Sequence, residues 1–527
     1  MKQLIHLINI INQDRLSTQQ AFTKDISRKT KLMQLYRGIG AGAIKTTEQA
    51  LEKIYKGDKN ANNNFARLKH DLKHRLLNSV LLIELEKDRN KQKHSKRKIA
   101  FFNCMRSFTA AYFLILLKGR SIGIPILEAK LEEMIHYDFT FLLLETTKLL
   151  RQHYLVIEGD AEKAQTYADL IQQYLGTYTL ETEVEGLYHS LMLNFTRAKA
   201  DKSAVHTIAK QYYNNIKYRH TTVPSSSLIY KSKMIEIIMY VTNNEFQNAI
   251  GVCVKTIQQL KEKDFVDHTG IFTLYLQWIN CGMELRTFDQ LDTPLKAITE
   301  HTDVGSFNWF SGMKMRFRVA MQKEEYAKAR GIYCEVMQRK ESLKRFTLLY
   351  EEWNVFALTI EILIKSKKID RIDDKSLHDG RIAKLNNSLE ILQRDKQGVY
   401  AYFKLAWLAF MLLNKDYEQV NGQLGALNNY KFRNLSEQNN VRSRCFLKML
   451  TRLSSANYDY KAIEAWSNKQ LVFMISSSPF NQFLEIIPYE TLWMILVETL
   501  LNDKRHPRVT NSQLDQTKYS GKADYKY

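Results

Sequence analysis

The residues best placed by type and spacing to do chemistry are Gly119-Arg120-Ser121-Ile122-Gly123, the G-x-S-x-G spacing of a nucleophile elbow. An elbow activates its serine only at a sharp strand-to-helix turn, where a carboxylate and a histidine arrive later from a sheet. No strand–helix alternation surrounds Ser121, and Pro125 suits the first turn of a helix continuing through Leu127 and Leu131. These residues read as a loop between two helices. Gly38, Gly40 and Gly42 precede Lys45 and Thr46, the ingredients of a phosphate-cradling loop, but Ile44 stands where the glycine before the lysine belongs. A close-packed turn is expected there, followed by a helix that Thr46 and Gln49 open as a capping box.

His70 and His74 are four apart and share a helix face, which is metal-ligand spacing. Their neighbours Arg67, Lys69, Lys73 and Arg75 would repel a cation, and no third ligand follows. Glu351–Glu352 and Asp373–Asp374 are adjacent in sequence, so their carboxylates diverge on a helix rather than share a proton. Cys104, Cys253, Cys281, Cys334 and Cys445 are odd in number and widely spaced, which indicates neither a disulfide framework nor a zinc knuckle. No catalytic residue, metal or cofactor is expected. The cysteines suit a reducing compartment, and a cytoplasmic location is expected.

The elements that must position any site are helices. The 527 residues include only 6 Pro and 20 Gly, against 45% hydrophobic and 25% charged residues, a balance that fits a globular all-α chain of two or three folding units. No proline falls between Pro294 and Pro479, or before Pro125. Phe246, Ile250, Cys253, Ile257 and Leu260 draw one apolar stripe along a helix. Tyr326, Ala329, Tyr333 and Val336 draw another, as do Tyr417, Val420, Leu424 and Leu427. Each follows a short polar turn and opens with an aromatic residue, with a small or apolar residue three positions later. Weaker copies occur at Phe288, Tyr460 and Ala161. With the 91 residues from Tyr326 to Tyr417 taken as two steps, the period is close to 40. Lys231–Val241, Ile271–Met283, Phe307–Met321 and Tyr400–Leu413 supply the partner helices.

A helix, a polar turn and a second helix at this period resemble the tetratricopeptide-type repeat family over roughly residues 160–501. The units are longer than the family's ~34 residues, and its first-helix Trp-Leu-Gly-Tyr signature is missing. The resemblance implies an α-α superhelical solenoid of tetratricopeptide-like pairs over residues 151–502. Residues 1–150 form a basic helical N-terminal unit or cap, and residues 503–527 a disordered tail. The first residues, from Met1 to Asn12, read as an amphipathic helix. The longest strongly apolar run, Phe108–Leu117, is about half of the ~20 residues a bilayer span needs, so no membrane span is expected.

Charge is the least generic feature. Of the net +21, +13 lies in residues 1–100, from 22 Lys and Arg against 9 Asp and Glu. Two functions follow. A solenoid leaves a face free for a protein or peptide partner, and Tyr240, Tyr275, Trp278, Arg316 and Arg318 on the first helices are its candidate contacts, making the chain a non-catalytic adaptor. Alternatively, Arg67, Lys69, Lys73, Arg75, Lys91, Lys93, Lys96, Arg97 and Lys98 form a polyanion surface. The chain would then bind nucleic acid or act as a regulator, with the repeats as a dimerising or sensing body.

Overall fold

In the computed structural model the described residues are 1–13, 30–80, 95–197, 202–219, 224–263, 265, 268–300, 302–370, 385, 389, 399–434, 440–477 and 485–502. Every regular element among them is a helix, so the chain is all-α. The expected tail at 503–527 lies outside these residues, as do Lys91, Lys93, Asp373 and Asp374. The chain divides into two compact units, residues 1–179 with 264–266, and residues 180–263 with 267–527.

The first unit opens with the helix Lys2–Gln13, which buries Leu4, Ile8 and Ile11 against Leu35 of Lys31–Gly40 and Leu72 and Leu76 of Ala61–Val80. The capping box forms as the sequence predicts. Gln49 N donates to Thr46 Oγ1 at 3.3 Å, and Thr46 N donates back to Gln49 Oε1 at 3.3 Å. Of the three glycines before it, Gly42 takes a left-handed φ of +71°, while a Cβ on Gly38 would strike Ile44 Cδ1 at 2.5 Å. These glycines shape a turn and a close approach. Lys96–Leu116, Arg120–His136 and Thr140–Gln152 follow as antiparallel neighbours.

The Gly119–Gly123 motif joins the first two of these helices. Lys118 is left-handed, Gly119 N donates to Leu114 O at 2.7 Å, and the next helix begins at Arg120. A Cβ on Gly123 would lie 2.8 Å from Ala111 O, so this glycine lets two helix backbones approach. Ser121 is exposed in the first turn of that helix, so the expected loop is confined to the residues before Arg120. Pro125 is the sixth residue of the helix rather than part of its first turn, because the helix starts directly after the Gly119 turn.

In the second unit the helices expected to open a pair are Ser226–Thr242, His268–Glu284, Phe307–Gln322 and Val399–Leu413, and the structure adds Val441–Ser455 ahead of the weaker copy at Tyr460. Thr347–Lys365 supplies the first helix of the step between Tyr326 and Tyr417. All six stop in the same way. A non-glycine residue turns left-handed at Asn244, Arg286, Glu324, Lys367, Lys415 and Asn457, at intervals of 42, 38, 43, 48 and 42 residues. The next N–H bonds back five residues, as Glu245 N does to Tyr240 O at 2.9 Å and Glu325 N to Ala320 O at 2.9 Å. This satisfies carbonyls that a helix end leaves open.

The following helices start at Phe246, Tyr326 and Tyr417, the aromatic residues the sequence pattern marks. Three residues on, Ala249, Ala329 and Val420 are buried, so each aromatic opens a helix whose first inward residue is small enough to seat it against its partner. Phe288 opens only a 3-10 turn before Asp292–Glu300. The largest core follows Phe317, Trp353, Phe356, Tyr402, Phe446 and Trp493, with Phe317 and Phe356 stacked at 4.6 Å.

Candidate functional site

Two clefts in the second unit hold Trp278 and Arg316, two of the five expected partner contacts. One, of about 380 Å³, lies between Phe246–Lys261 and His268–Glu284 and is lined by Val254, Ile257, Gln258, Lys261, Glu262 and Trp278. The other, of about 290 Å³, lies between Asp292–Glu300 and Phe307–Gln322 and includes Leu295, Thr299, Arg316, Val319 and Lys323. Each separates the second helix of one pair from the first helix of the next. Trp278 stands eight residues before the left-handed Arg286, and Arg316 eight before the left-handed Glu324. The two side chains therefore occupy the same position on successive first helices.

Their surroundings differ. Trp278 stacks on Tyr275 at 6.2 Å with the rings 20° apart, and Lys261 Nζ donates to Tyr275 Oη at 3.1 Å. The first cleft thus offers an aromatic plate beside an ammonium. In the second, Lys323 is held by Asp289 at 3.2 Å and Glu325 at 3.3 Å, and Lys328 by Glu325 at 2.7 Å. Hydrogen bonds donated to Asp289 and Glu325 hold the Lys323 ammonium above its ordinary range. Lys296 reaches Glu300 at 3.7 Å. Arg316 has only a 3.8 Å contact from Nη1 to Met313 Sδ, and no carboxylate lies within ion-pair distance of it among the described residues. Its guanidinium is available to an anionic group of a ligand.

Two of the other predicted contacts are core residues. Tyr275 and Arg318 are both 5% exposed. Burial pushes the Arg318 guanidinium down to about 10, against the opposing pull of Glu352 and Glu284. Tyr240 is half-buried against the cluster around Ile237 and Ile279. Arg316 and Arg318 are two residues apart, so they point to different sides of one helix.

The basic candidates also divide. Arg67, Lys73 and Arg75 are exposed on Ala61–Val80 and Lys69 is half-exposed, but Arg75 bonds Asp71 at 3.2 Å and Lys73 reaches Gln3 at 3.4 Å. His70 and His74 are exposed on the same helix. Arg97 works inside its unit: Nε donates to Tyr137 O at 3.1 Å, and the guanidinium lies over the rings of Phe139 and Phe265. Lys96 and Lys98 are exposed at the start of Lys96–Leu116. Glu352 pairs with Lys314 at 2.7 Å while its neighbour Glu351 is buried, so those carboxylates face apart. Among the described residues no three His, Cys, Asp or Glu side chains converge as a metal site would require.

Sequence reasoning missed one feature. The helix containing the Phe108–Leu117 run is 21 residues long and apolar enough to cross a membrane by length and composition, yet only 17% of that stretch is buried. The signal was the charge-poor sequence from Ile99 to Leu117, interrupted only by Arg106. No protein-family model, curated protein or solved structure matches the chain.

Proposed function

We propose that the chain is a non-catalytic adaptor whose second unit is a superhelical solenoid of tetratricopeptide-like helix pairs. On this reading it binds an extended protein segment across successive inter-pair clefts. The observation carrying this is the equivalence of Trp278 and Arg316. Two successive units leave this position at a cleft, while its counterparts Glu236, Thr359, Trp407 and Met449 are buried; an aromatic plate followed by a guanidinium would read a ligand with an apolar and then an acidic group. The spacing of the left-handed turns in the second unit, 38 to 48 residues, supports the repeat period.

The test is selection of a random peptide display library on the full chain, repeated with Trp278→Ala and Arg316→Glu. Peptides enriched by the parent chain should carry an acidic residue and lose binding tenfold or more with Arg316→Glu, the scale of one charge-assisted contact. The adaptor reading falls if no peptide is enriched, or if enrichment is indifferent to both replacements.

A further inference from the structure

The first unit leaves an apolar helix face uncovered. On Lys96–Leu116, Phe101, Met105, Tyr112 and Leu116 recur at steps of four, seven and four, which places them along one side. All are exposed, as are Phe113 beside them and Leu117 just beyond, with Leu116 at 62% and Leu117 at 79%. The adjoining side is occupied: Ala100, Cys104 and Ala111 are buried, and Gly123 brings Arg120–His136 against Ala111. A contiguous exposed apolar surface of this kind marks an interaction site.

Charge says what kind. Residues 95–127 contain six Lys or Arg and not one Asp or Glu, in a chain where about one residue in nine is acidic. Lys98 continues the stripe three residues before Phe101, Lys96 lies just ahead of it, and Lys118 and Arg120 follow its other end. An apolar stripe with cations at both ends and no acid among them matches acyl chains bordered by anionic headgroups.

We propose that this face of Lys96–Leu116 lies on the surface of an anionic lipid bilayer. The helix lies along the surface and does not cross it, because its antiparallel neighbour Arg120–His136 carries Glu128, Lys130, Glu132 and Glu133, which the hydrocarbon core would not accept. The inserted side chains are Phe113, Leu116 and Leu117, while the flanking lysines and Arg120 meet headgroup phosphates.

The experiment is cosedimentation of the full chain with vesicles of phosphatidylcholine alone or mixed with phosphatidylglycerol, at low and high salt. The chain should pellet only with the anionic vesicles and less at high salt. The exposed replacement F113S/L116S should lower the partition constant about tenfold or more, with an unchanged circular dichroism spectrum. K118Q/R120Q should lower it severalfold. A parent chain left in the supernatant with both vesicle types overturns the proposal. So does F113S/L116S pelleting as the parent does, which would leave the basic residues to a polyanion such as nucleic acid. A parent dimer that F113S/L116S converts to monomer, with no vesicle binding, would assign the face to a second copy instead.

Discussion

Arg442 and Glu485 meet through two parallel hydrogen bonds, Nε to Oε1 at 2.6 Å and Nη2 to Oε2 at 2.8 Å, with both side chains almost wholly buried. Arg442 also donates to Met474 O at 3.1 Å and to Glu490, while Glu485 accepts from Tyr489 N at 3.2 Å. One guanidinium thereby joins Val441–Ser455, Glu464–Ser477 and Tyr489–Leu501. Burial raises the Glu485 carboxyl above its ordinary range, and Arg442 pulls it back down.

Removing one partner strands the other charge in the core, so Arg442→Ala should cost about 3–5 kcal/mol. The double replacement R442M/E485L should cost less than the single one, because it leaves no buried charge. Urea titration of both variants checks the order. Equal losses would show that the ion pair contributes through volume alone.

Gly123 and Gly251 are both helical, yet the structure gives their alanine variants opposite signs. A Cβ at Gly123 meets a backbone oxygen at 2.8 Å, while one at Gly251 meets nothing within 4 Å. Gly123→Ala should destabilise by about 1–3 kcal/mol through forced separation of two helices. Gly251→Ala should stabilise by about 0.5–1 kcal/mol. Thermal melts of the two variants decide this.

Local sequence rules place helix starts but not the faces that helices bury. Phe246, Ala249 and the polar turn before them obey local rules, and the helix starts where those rules place it. Tyr275 and Trp278 obey the same periodicity, yet one is buried and the other lines a cleft, which depends on helices the periodicity does not locate. Arg318 shows the same limit. Two residues from the cleft-lining Arg316, it lies in the core because its side of the helix faces Glu284 and Glu352. The bare face of Lys96–Leu116 is hidden for a related reason. Apolar residues in a helix signal burial until the packing shows one side left without a partner.

Alkaline pH should loosen the first unit. Tyr154 donates to Glu128 at 2.6 Å and Tyr167 donates to the same oxygen at 3.1 Å. The hydrogen bond to Glu128 and burial hold the Tyr154 phenol above its usual range, and burial with the Glu128 charge pushes Tyr167 up to about 12. A phenol with a raised folded pKa contributes fully below its unfolded value near 10.0, and that contribution is lost as pH rises toward 12. The melting temperature should therefore fall between pH 10 and pH 12. Tyr154→Phe should flatten the fall, since it removes one of the two protons the folded state retains. A parallel decline in parent and variant would mean that other groups govern the alkaline transition.

The left-handed turns make a prediction about the repeat. Asn244, Glu324 and Lys415 hold φ near +60° at equivalent positions, each followed by an N–H that bonds back five residues. Asparagine tolerates this conformation through its short polar side chain, whereas glutamate and lysine bring a Cβ too close to the backbone, at a cost of roughly 1 kcal/mol. Glu324→Gly and Lys415→Gly should therefore each stabilise, while Asn244→Gly should change stability by much less. The loss of the glutamate also removes the Glu324 contact to Thr491, which offsets part of that gain. Separate denaturant titrations give the three differences directly. If the glycine variants of Glu324 and Lys415 destabilise, the turn is held by its side chains rather than by the backbone bond that recurs after every first helix.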